Sequence, residues 1–347
     1  MSDYAISQVL PADRYALSMI DALLKKEGIT RDKNLDYICA MYDEDYNVIG
    51  TGSLFGNTLR CFAVDSSHQG EGLLNEIISH LISIQYERGN LHLFLYTKVT
   101  SAPFFGDLGF KEIARVKDTL VFMENKRTGF DDYVNKLSVH KREGKSAALV
   151  MNANPFTLGH QYLVEKAASE CDTLHLFLVS EDASLVPFAV RKKLVREGTA
   201  HLPNVILHDS GPYMISNATF PSYFLKDELT VIESHARLDI AVFTKIAKAL
   251  DISVRYVGEE PTSVVTGAYN RVMSEELPKE GIDLTIVPRK EADGIAISAS
   301  TVRMALKDGD LSLLASLLPK TSYDFFTSPE AEAIIKKIKA SKEVIHY

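Results

Sequence analysis

The sequence predicts an α/β protein of two domains, a mixed-sheet domain followed by one built on a parallel sheet. Three observations lead there. The chain has 347 residues, more than a single hydrophobic core usually serves. A polar stretch, Glu124 to Lys145, separates two differently patterned halves. Beyond it, short apolar runs alternate with helical patterns, as in parallel sheets whose strands are joined by crossover helices. The predicted divisions are residues 1–125, a connector over 126–144, and 145–347 with a helical C-terminal tail.

Before the connector, Tyr37 to Met41, Val48 to Leu54 and Leu59 to Val64 have strand composition, the first two parted by the turn-rich Asp43-Glu44-Asp45-Tyr46-Asn47. A helix is predicted from about Gly70 to Arg88, because Leu73, Leu74, Ile77, Ile78, Leu81 and Ile82 recur at three- and four-residue spacing. Leu91 to Tyr96 reads as a further strand, leading into Phe104-Phe105-Gly106-Asp107-Leu108-Gly109-Phe110. The connector is dense in charge, with a short helix predicted around Phe130 to Leu137.

After the connector, Ala147 to Met151 is a strand and Gly159 to Glu170 a helix with Leu163, Val164 and Ala167 inward. Leu174 to Val179 is a second strand, Pro187 to Leu202 mostly helix, and Val205 to Leu207 a third strand. Phe224 to Leu250 reads as helix, and Ser253 to Val257 as a fourth strand ending at Gly258. Thr262 to Leu277 is helical and Leu284 to Val287 is the fifth strand. Ligands of such sheets bind beyond the carboxyl ends of the strands. Thr157, His160 and Gly258 all follow such an end and are expected to meet in one cleft.

Composition narrows the function. Hydrophobic residues make up 46% and charged residues 24%, an ordinary globular balance. A formal charge of −8 argues against a general nucleic-acid binder. Cys39, Cys61 and Cys171 lie far apart without a CxxC spacing, and read as small buried residues in a reducing compartment. No signal-peptide pattern or membrane-length apolar run is visible, so a soluble, cytoplasmic protein without membrane contact is expected.

The chemistry concentrates in two clusters. Asn154-Pro155-Phe156-Thr157-Leu158-Gly159-His160 follows the strand at Ala147 to Met151. It places Gly and His in the first turn of a helix, where unpaired N–H groups and the positive dipole end favour a phosphate. Gly159 would let the backbone come close to such a ligand and His160 would add a donor. A lone histidine at a helix start is commonly a surface or capping residue; its context here favours function. The second cluster is Ile297-Ser298-Ala299-Ser300-Thr301-Val302-Arg303. Ser300 and Thr301 are suited to cap a helix beginning near Val302, and Arg303 offers a planar fork for phosphate. Gly258 and Glu259 stand where a carboxylate would meet ribose, adenine or a magnesium-bound water, and an exposed acidic turn is the other reading. Arg289 and Lys290, after the fifth strand, read as a solvated strand end, with added phosphate charge as the alternative.

The two clusters together resemble the (H/T)xGH and ISxSTxxR signatures of the nucleotidyltransferase superfamily, whose catalytic domain is Rossmann-like. That resemblance implies ATP held by Asn154, Pro155, Phe156, Gly159, Gly258, Glu259, Ser300 and Thr301, with His160, Thr157 and Arg303 catalytic and Mg2+ accompanying the triphosphate. The first half resembles the GCN5-related acetyltransferase (GNAT) fold, whose (Q/R)xxGx(G/A) loop binds coenzyme A. Here the loop is Ser67-His68-Gln69-Gly70-Glu71-Gly72, with Ser67 in place of Gln or Arg and an unfavourable negative charge at Glu71. Gln69, Gly70 and Gly72 are the expected contacts to a coenzyme-A-like prosthetic group; a plain strand-to-helix turn is the alternative.

Nearly the whole chain resembles the citrate (pro-3S)-lyase ligase family. The matching stretches are Met151 to His160, Gly211 to Lys226, Arg255 to Pro261 and Ile297 to Arg303. The block Ala218-Thr219-Phe220-Pro221-Ser222-Tyr223-Phe224 is the most discriminating. The resemblance implies ATP-dependent acetylation of the prosthetic thiol of the citrate lyase acyl carrier subunit, a dephospho-coenzyme-A derivative, with acetate activated as acetyl-adenylate. Two other readings stay open: an adenylyltransferase acting on a phosphorylated precursor such as phosphopantetheine, and an acyl-binding regulatory protein with an inactive second half.

Overall fold

A computed structural model describes residues 4–214, 220–221, 223, 228–259, 264–292 and 295–341. The chain divides into two compact units, Met1–Phe130 with Pro221–Ala241, and Asp131–Phe220 with Val242–Tyr347. Residues 221–241 therefore group with the first unit although the sequence places them in the second half.

The first unit contains β1 (Ala5–Gln8), α1 (Arg14–Lys26), β2 (Tyr37–Tyr42), β3 (Val48–Phe55), β4 (Thr58–Val64), α2 (Leu73–Glu87), β5 (Phe94–Thr97), α3 (Ala102–Asp107), β6 (Lys111–Val116) and β7 (Leu120–Glu124). They form a seven-stranded mixed sheet in the order β1-β2-β3-β4-β5-β7-β6. Only β4 and β5 pair in parallel. The β2–β3 turn is held by Asp43, whose carboxylate accepts from the backbone N–H groups of Asp45 and Asn47 and from the Asn47 side chain. The apolar stripe of α2 is Leu73, Ile77, Ile78 and Leu81, all buried. It lies close on β3 because Gly50 and Gly52 face it: a Cβ at either would stand 2.7 Å from Ile77.

Several predicted bounds shift. The second helix begins at Leu73 rather than Gly70, because Gly70 (φ 92°) and Gly72 (φ 80°) are left-handed and shape the turn before it. The strand predicted from Leu91 starts only at Phe94, and Leu91 is exposed. The strands β1, β6 and β7 and the helix α1 are not among the predicted elements, although α1 buries a regular stripe of Ala16, Ile20, Leu23 and Leu24. Cys39 and Cys61 are buried, and burial pushes both thiols up to about 12, so they are unreactive at neutral pH.

The helix α4 (Gly129–Ser138) spans the sequence boundary between the units. The second unit continues with β8 (Ser146–Met151), α5 (Leu158–Ala168), β9 (Thr173–Leu178), α6 (Phe188–Gly198), β10 (Val205–Asp209), α7 (Glu228–Leu250), β11 (Ile252–Gly258), α8 (Val264–Glu276), β12 (Asp283–Val287) and the short pair β13 (Glu291–Ala292) and β14 (Ile295–Ala296). Among the described residues four helices follow: α9 (Ala299–Asp308), α10 (Leu311–Leu317), α11 (Lys320–Phe326) and α12 (Glu332–Ala340). Of α7, residues up to Ala241 group with the first unit and the rest with the second.

The five long strands form one sheet in the order β10-β9-β8-β11-β12, parallel at every pairing. From β8 the chain winds outward to β10, then returns to the far side of β8 through β11. The crevice between the carboxyl ends of β8 and β11 is thus the topological switch point, where such sheets bind ligands. Buried Ala147, Leu149, Leu174, Leu176, Val254 and Tyr256 of the strands share one core with Val164 and Ala167 of α5 and with Val302, Ala305 and Leu306 of α9. Burial of these faces on both sides explains the near-continuous apolar strands.

One buried histidine pair makes the second unit sensitive to acid. His175 Nδ1 on β9 lies 2.9 Å from His208 Nε2 on β10. Burial, then the neighbouring imidazole and His140, pushes His208 down to about 3; burial, then His140 and Arg142, pushes His175 down to about 4. Between those values and the ordinary histidine value of roughly 6.5 the unfolded chain binds more protons, so stability rises with pH across that window. The urea midpoint is expected to fall as pH drops from about 6.5 towards 4, and to fall less steeply in His208→Gln.

Candidate active site

The loop from Asn152 to Thr157 leaves β8 through a left-handed Ala153 and a cis Asn154–Pro155 bond. Its side chains mostly turn inward. Asn154 is buried, and its Oδ1 accepts from the Val186 N–H at 3.0 Å. Phe156 is wholly buried against Gly198, where a Cβ would come within 2.4 Å of the ring. These contacts fix where α5 starts.

That start is a capping box in which histidine takes the place of the usual Glu or Gln. Thr157 is the N-cap; its hydroxyl accepts from the His160 N–H at 3.3 Å and lies 2.9 Å from the ring Nδ1. In return the Thr157 N–H donates to His160 Nδ1 at 3.1 Å. Because Nδ1 accepts, the neutral ring carries its proton on Nε2. Burial, then the charges of Arg289 and Arg303, pushes His160 down to about 4. At neutral pH the residue is therefore a neutral Nε2–H donor.

The second cluster begins α9, three residues earlier than the sequence suggested. Ser298, rather than Ser300 or Thr301, is the N-cap: its Oγ accepts from the Thr301 N–H at 3.0 Å. The same Oγ lies 2.8 Å from Ser300 Oγ and 2.7 Å from Thr301 Oγ1, so three hydroxyls gather at the first turn. Arg303 is 2% exposed and its Nη1 donates to the Asn154 carbonyl at 2.5 Å. Burial pushes it down to about 10, which leaves it charged at neutral pH.

The two motifs touch. A Cβ on Gly159 would stand 2.9 Å from the Ile297 carbonyl oxygen, closer than real contacts allow. The glycine is required by the approach of the second motif, a reason the sequence alone did not suggest. The other strand ends join them. At β11, the Glu259 N–H donates to the Val287 carbonyl at 2.9 Å, and the Glu259 carbonyl accepts from Arg289 Nε at 3.1 Å. A Cβ on Gly258 would make only ordinary contact with Leu163, and the Glu259 side chain is exposed. The Ile297 N–H donates to the Lys290 carbonyl at 3.1 Å. Glu260 and Pro261 lie outside the described residues.

Arg191 was not foreseen. It is fully buried on α6 and donates only to oxygens of two loops. Its Nη1 reaches Asn152 O and Oδ1 and Val179 O, its Nε reaches Val186 O, and its Nη2 reaches Glu181 O. The loops after β8 and β9 are thereby tied together. The available signal was its place among Phe188, Leu194 and Val195 on the apolar stripe of a helix.

Gln69, Gly70 and Gly72 belong to the first unit, in the loop between β4 and α2. Asp65 organises that loop, accepting from the Ser67 N–H at 2.9 Å and the Ser67 hydroxyl at 2.6 Å. His68 Nδ1 lies 3.2 Å from a Glu71 carboxylate oxygen within the same loop.

Hydrogen-bond donors and arginines thus stand at the carboxyl ends of a parallel α/β sheet, the place where such sheets bind ligands. The sequence matches the family described as citrate lyase ligase C-terminal domain over residues 146–326. A citrate (pro-3S)-lyase ligase of Klebsiella pneumoniae is 39% identical over 320 residues, 90% of this chain and 93% of the relative. That of Haemophilus influenzae is 36% identical over 323 residues, 91% of this chain and 96% of the relative. This chain belongs to the citrate lyase ligase family, and it is a ligase.

The N-terminal part has acetyltransferase-like structural neighbours. A GNAT-family acetyltransferase of Staphylococcus aureus Mu50 is 16% identical, with a TM-score of 0.30, covering 35% of this chain and 100% of its own. An acyl-CoA N-acyltransferase of Pseudomonas aeruginosa is 12% identical, with a TM-score of 0.31, covering 36% and 100%. Among the described residues no helix is long and apolar enough to cross a membrane.

Proposed function

We propose that the second unit joins acetate to the α-phosphorus of ATP. The acetyl group then passes to the prosthetic thiol of the citrate lyase acyl carrier subunit, a dephospho-coenzyme-A derivative, in the cytoplasm. The single observation that carries this reading is the neutral His160 at the switch point of the sheet, its Nδ1 taken by the Thr157 N–H and its protonation opposed by burial and by the charges of Arg289 and Arg303.

Acetate is ionised at neutral pH, since carboxylic acids titrate near roughly 4 to 5. One of its oxygens attacks the α-phosphorus directly, without a general base, and the bond to the bridging oxygen of pyrophosphate breaks. Charge then builds on the α-phosphoryl oxygens. His160 donates to one of them, and the site meets that charge with donors already in place. A neutral donor suits the task, because an imidazolium would have no lone pair to accept the Thr157 N–H.

Asn154, Pro155, Phe156, Thr157 and Gly159 set the position of His160, while Arg303 supplies fixed positive charge beneath the phosphates. Ser300, Thr301 and the start of α9 take the outer phosphates. Gly258 and Glu259 face the nucleoside. Mg2+ arrives with the nucleotide and keeps much of its own water. In the second half-reaction the carrier thiolate attacks the acetyl carbonyl, the acyl–phosphate bond breaks and AMP leaves. Gln69, Gly70 and Gly72 of the first unit cradle the prosthetic arm in this reading.

The test is the complete reaction. With ATP, labelled acetate and the deacetylated carrier subunit, one AMP should form per labelled thioester. Adenylation of a phosphorylated precursor without acetate would instead favour a plain adenylyltransferase.

A further inference from the structure

Tyr223, from the block Ala218 to Phe224, belongs to the first unit and is 5% exposed. Its backbone and its side chain are both held. The Thr30 N–H donates to the Tyr223 carbonyl at 2.6 Å, and the Tyr223 hydroxyl donates to the Tyr96 carbonyl of β5 at 2.7 Å. The side chain shares a buried cluster with Ile20 and Leu24 of α1 and with Cys61 and Ala63 of β4.

That position fills an opening in the sheet. The parallel strands β4 and β5 pair only at Thr58–Phe94 and Leu59–Leu95, while β4 runs on to Val64 and β5 to Thr97. A bulge follows the paired part of β4. Cys61 is left-handed (φ 53°), and the β3–β4 register shifts between Ser53–Arg60 and Thr51–Ala63; bulges of this kind bend a strand. The Phe94 N–H donates to the Asn57 carbonyl, so the main-chain groups of Phe94 face β4. Those of Tyr96, two residues on, face the same way. Tyr96 lies beyond the paired stretch, and there its carbonyl accepts from Tyr223.

An opening edged by backbone N–H and C=O groups suits a slender ligand that carries amides. A pantetheine-type arm, with amide groups and a terminal thiol, is such a ligand. The opening lies towards the carboxyl end of β4, where the strand leads into the loop of Gln69, Gly70 and Gly72.

We propose that Tyr223 is a specificity-determining stopper, which fills the β4–β5 opening and keeps the thiol end of the carrier's prosthetic arm out of the first unit. The assignment rests on the reading of that arm as the acyl acceptor. The loop at Gln69, Gly70 and Gly72 then holds the nucleotide end of the prosthetic group, and the thiol stays available to the adenylate on the second unit. A residue of the most discriminating block thereby serves the carrier half-reaction rather than the nucleotide.

Tyr223→Ala empties the opening, and Tyr223→Leu keeps apolar contact but is too short to reach the Tyr96 carbonyl. Titration calorimetry with pantetheine should show binding to either variant at least about tenfold tighter than to the unaltered protein. In carrier acetylation, non-productive capture of the arm by Tyr223→Ala should lower kcat and the KM for the carrier subunit by the same factor, about tenfold, leaving kcat/KM unchanged. Acetate-dependent ATP–pyrophosphate exchange without the carrier should match the unaltered protein, which also reports that the second unit is intact. Tyr223→Phe keeps the ring in place and should behave as the unaltered protein in both assays. Equal affinity for pantetheine in the unaltered protein and the variants would overturn the proposal, as would a raised KM for the carrier. Should Tyr223→Ala not fold, the Tyr223→Leu titration decides alone. Should the unaltered protein fail to acetylate the carrier, the functional reading fails. Tighter pantetheine binding to the variants would then still support the stopper, and equal binding would overturn it.

Discussion

His160→Gln is expected to lower acetate-dependent ATP–pyrophosphate exchange on the order of 10²-fold or more, with stability changed by less than about 1 kcal/mol. The choice of glutamine separates two jobs that one imidazole performs. Through Nδ1 it accepts the Thr157 N–H and closes the capping box of α5. Glutamine at the same helical position is an ordinary capping-box residue, so the helix start survives. Through Nε2 the imidazole offers a rigid donor where negative charge grows, and an amide already used in the cap does not replace it. His160→Ala removes both functions and should lose activity and about 1 kcal/mol of stability together. Thermal unfolding beside exchange kinetics resolves the two: a large loss of stability in His160→Gln would show that the residue is structural first.

Arg191→Ala should cost about 4 kcal/mol, the largest effect on stability expected for a single side chain in the second unit. The guanidinium is buried, and its donors end on the carbonyls of Asn152, Val179, Glu181 and Val186 and on the Asn152 amide oxygen. Truncation strands those buried acceptors, each at roughly 1–3 kcal/mol, and water entering the vacated volume offsets part of the sum. For a unit of this size the expected fall in Tm is about 8–16 °C. Arg191→Met refills the volume but not the hydrogen bonds, and should recover little. Recovery of most of the stability by methionine would mean that packing, rather than loop stitching, is the role of Arg191.

The parallel sheet was legible because its strands are buried on both faces and its connections are helices. Ser146–Met151 and Thr173–Leu178 are apolar runs with no competing interpretation. The first unit was less legible. Its strands β1 and β6 each have exposed residues along much of their length, and an antiparallel strand of that kind has only weak alternation to announce it. Thr157, Gly159 and His160 stand out in the sequence by their place after a strand, but their partners do not. Nothing in the local sequence shows that Gly159 faces Ile297, that Arg303 reaches Asn154, or that Ser298 takes the capping role from Ser300 and Thr301. These are contacts between elements far apart in the chain.

Isotope exchange between labelled pyrophosphate and ATP, run without the carrier subunit, separates adenylate formation from everything that follows. Label should enter ATP only when acetate is present, at a rate that saturates with acetate. Exchange that proceeds equally without acetate, or none under conditions where the complete system acetylates the carrier, would contradict an acetyl-adenylate formed at His160.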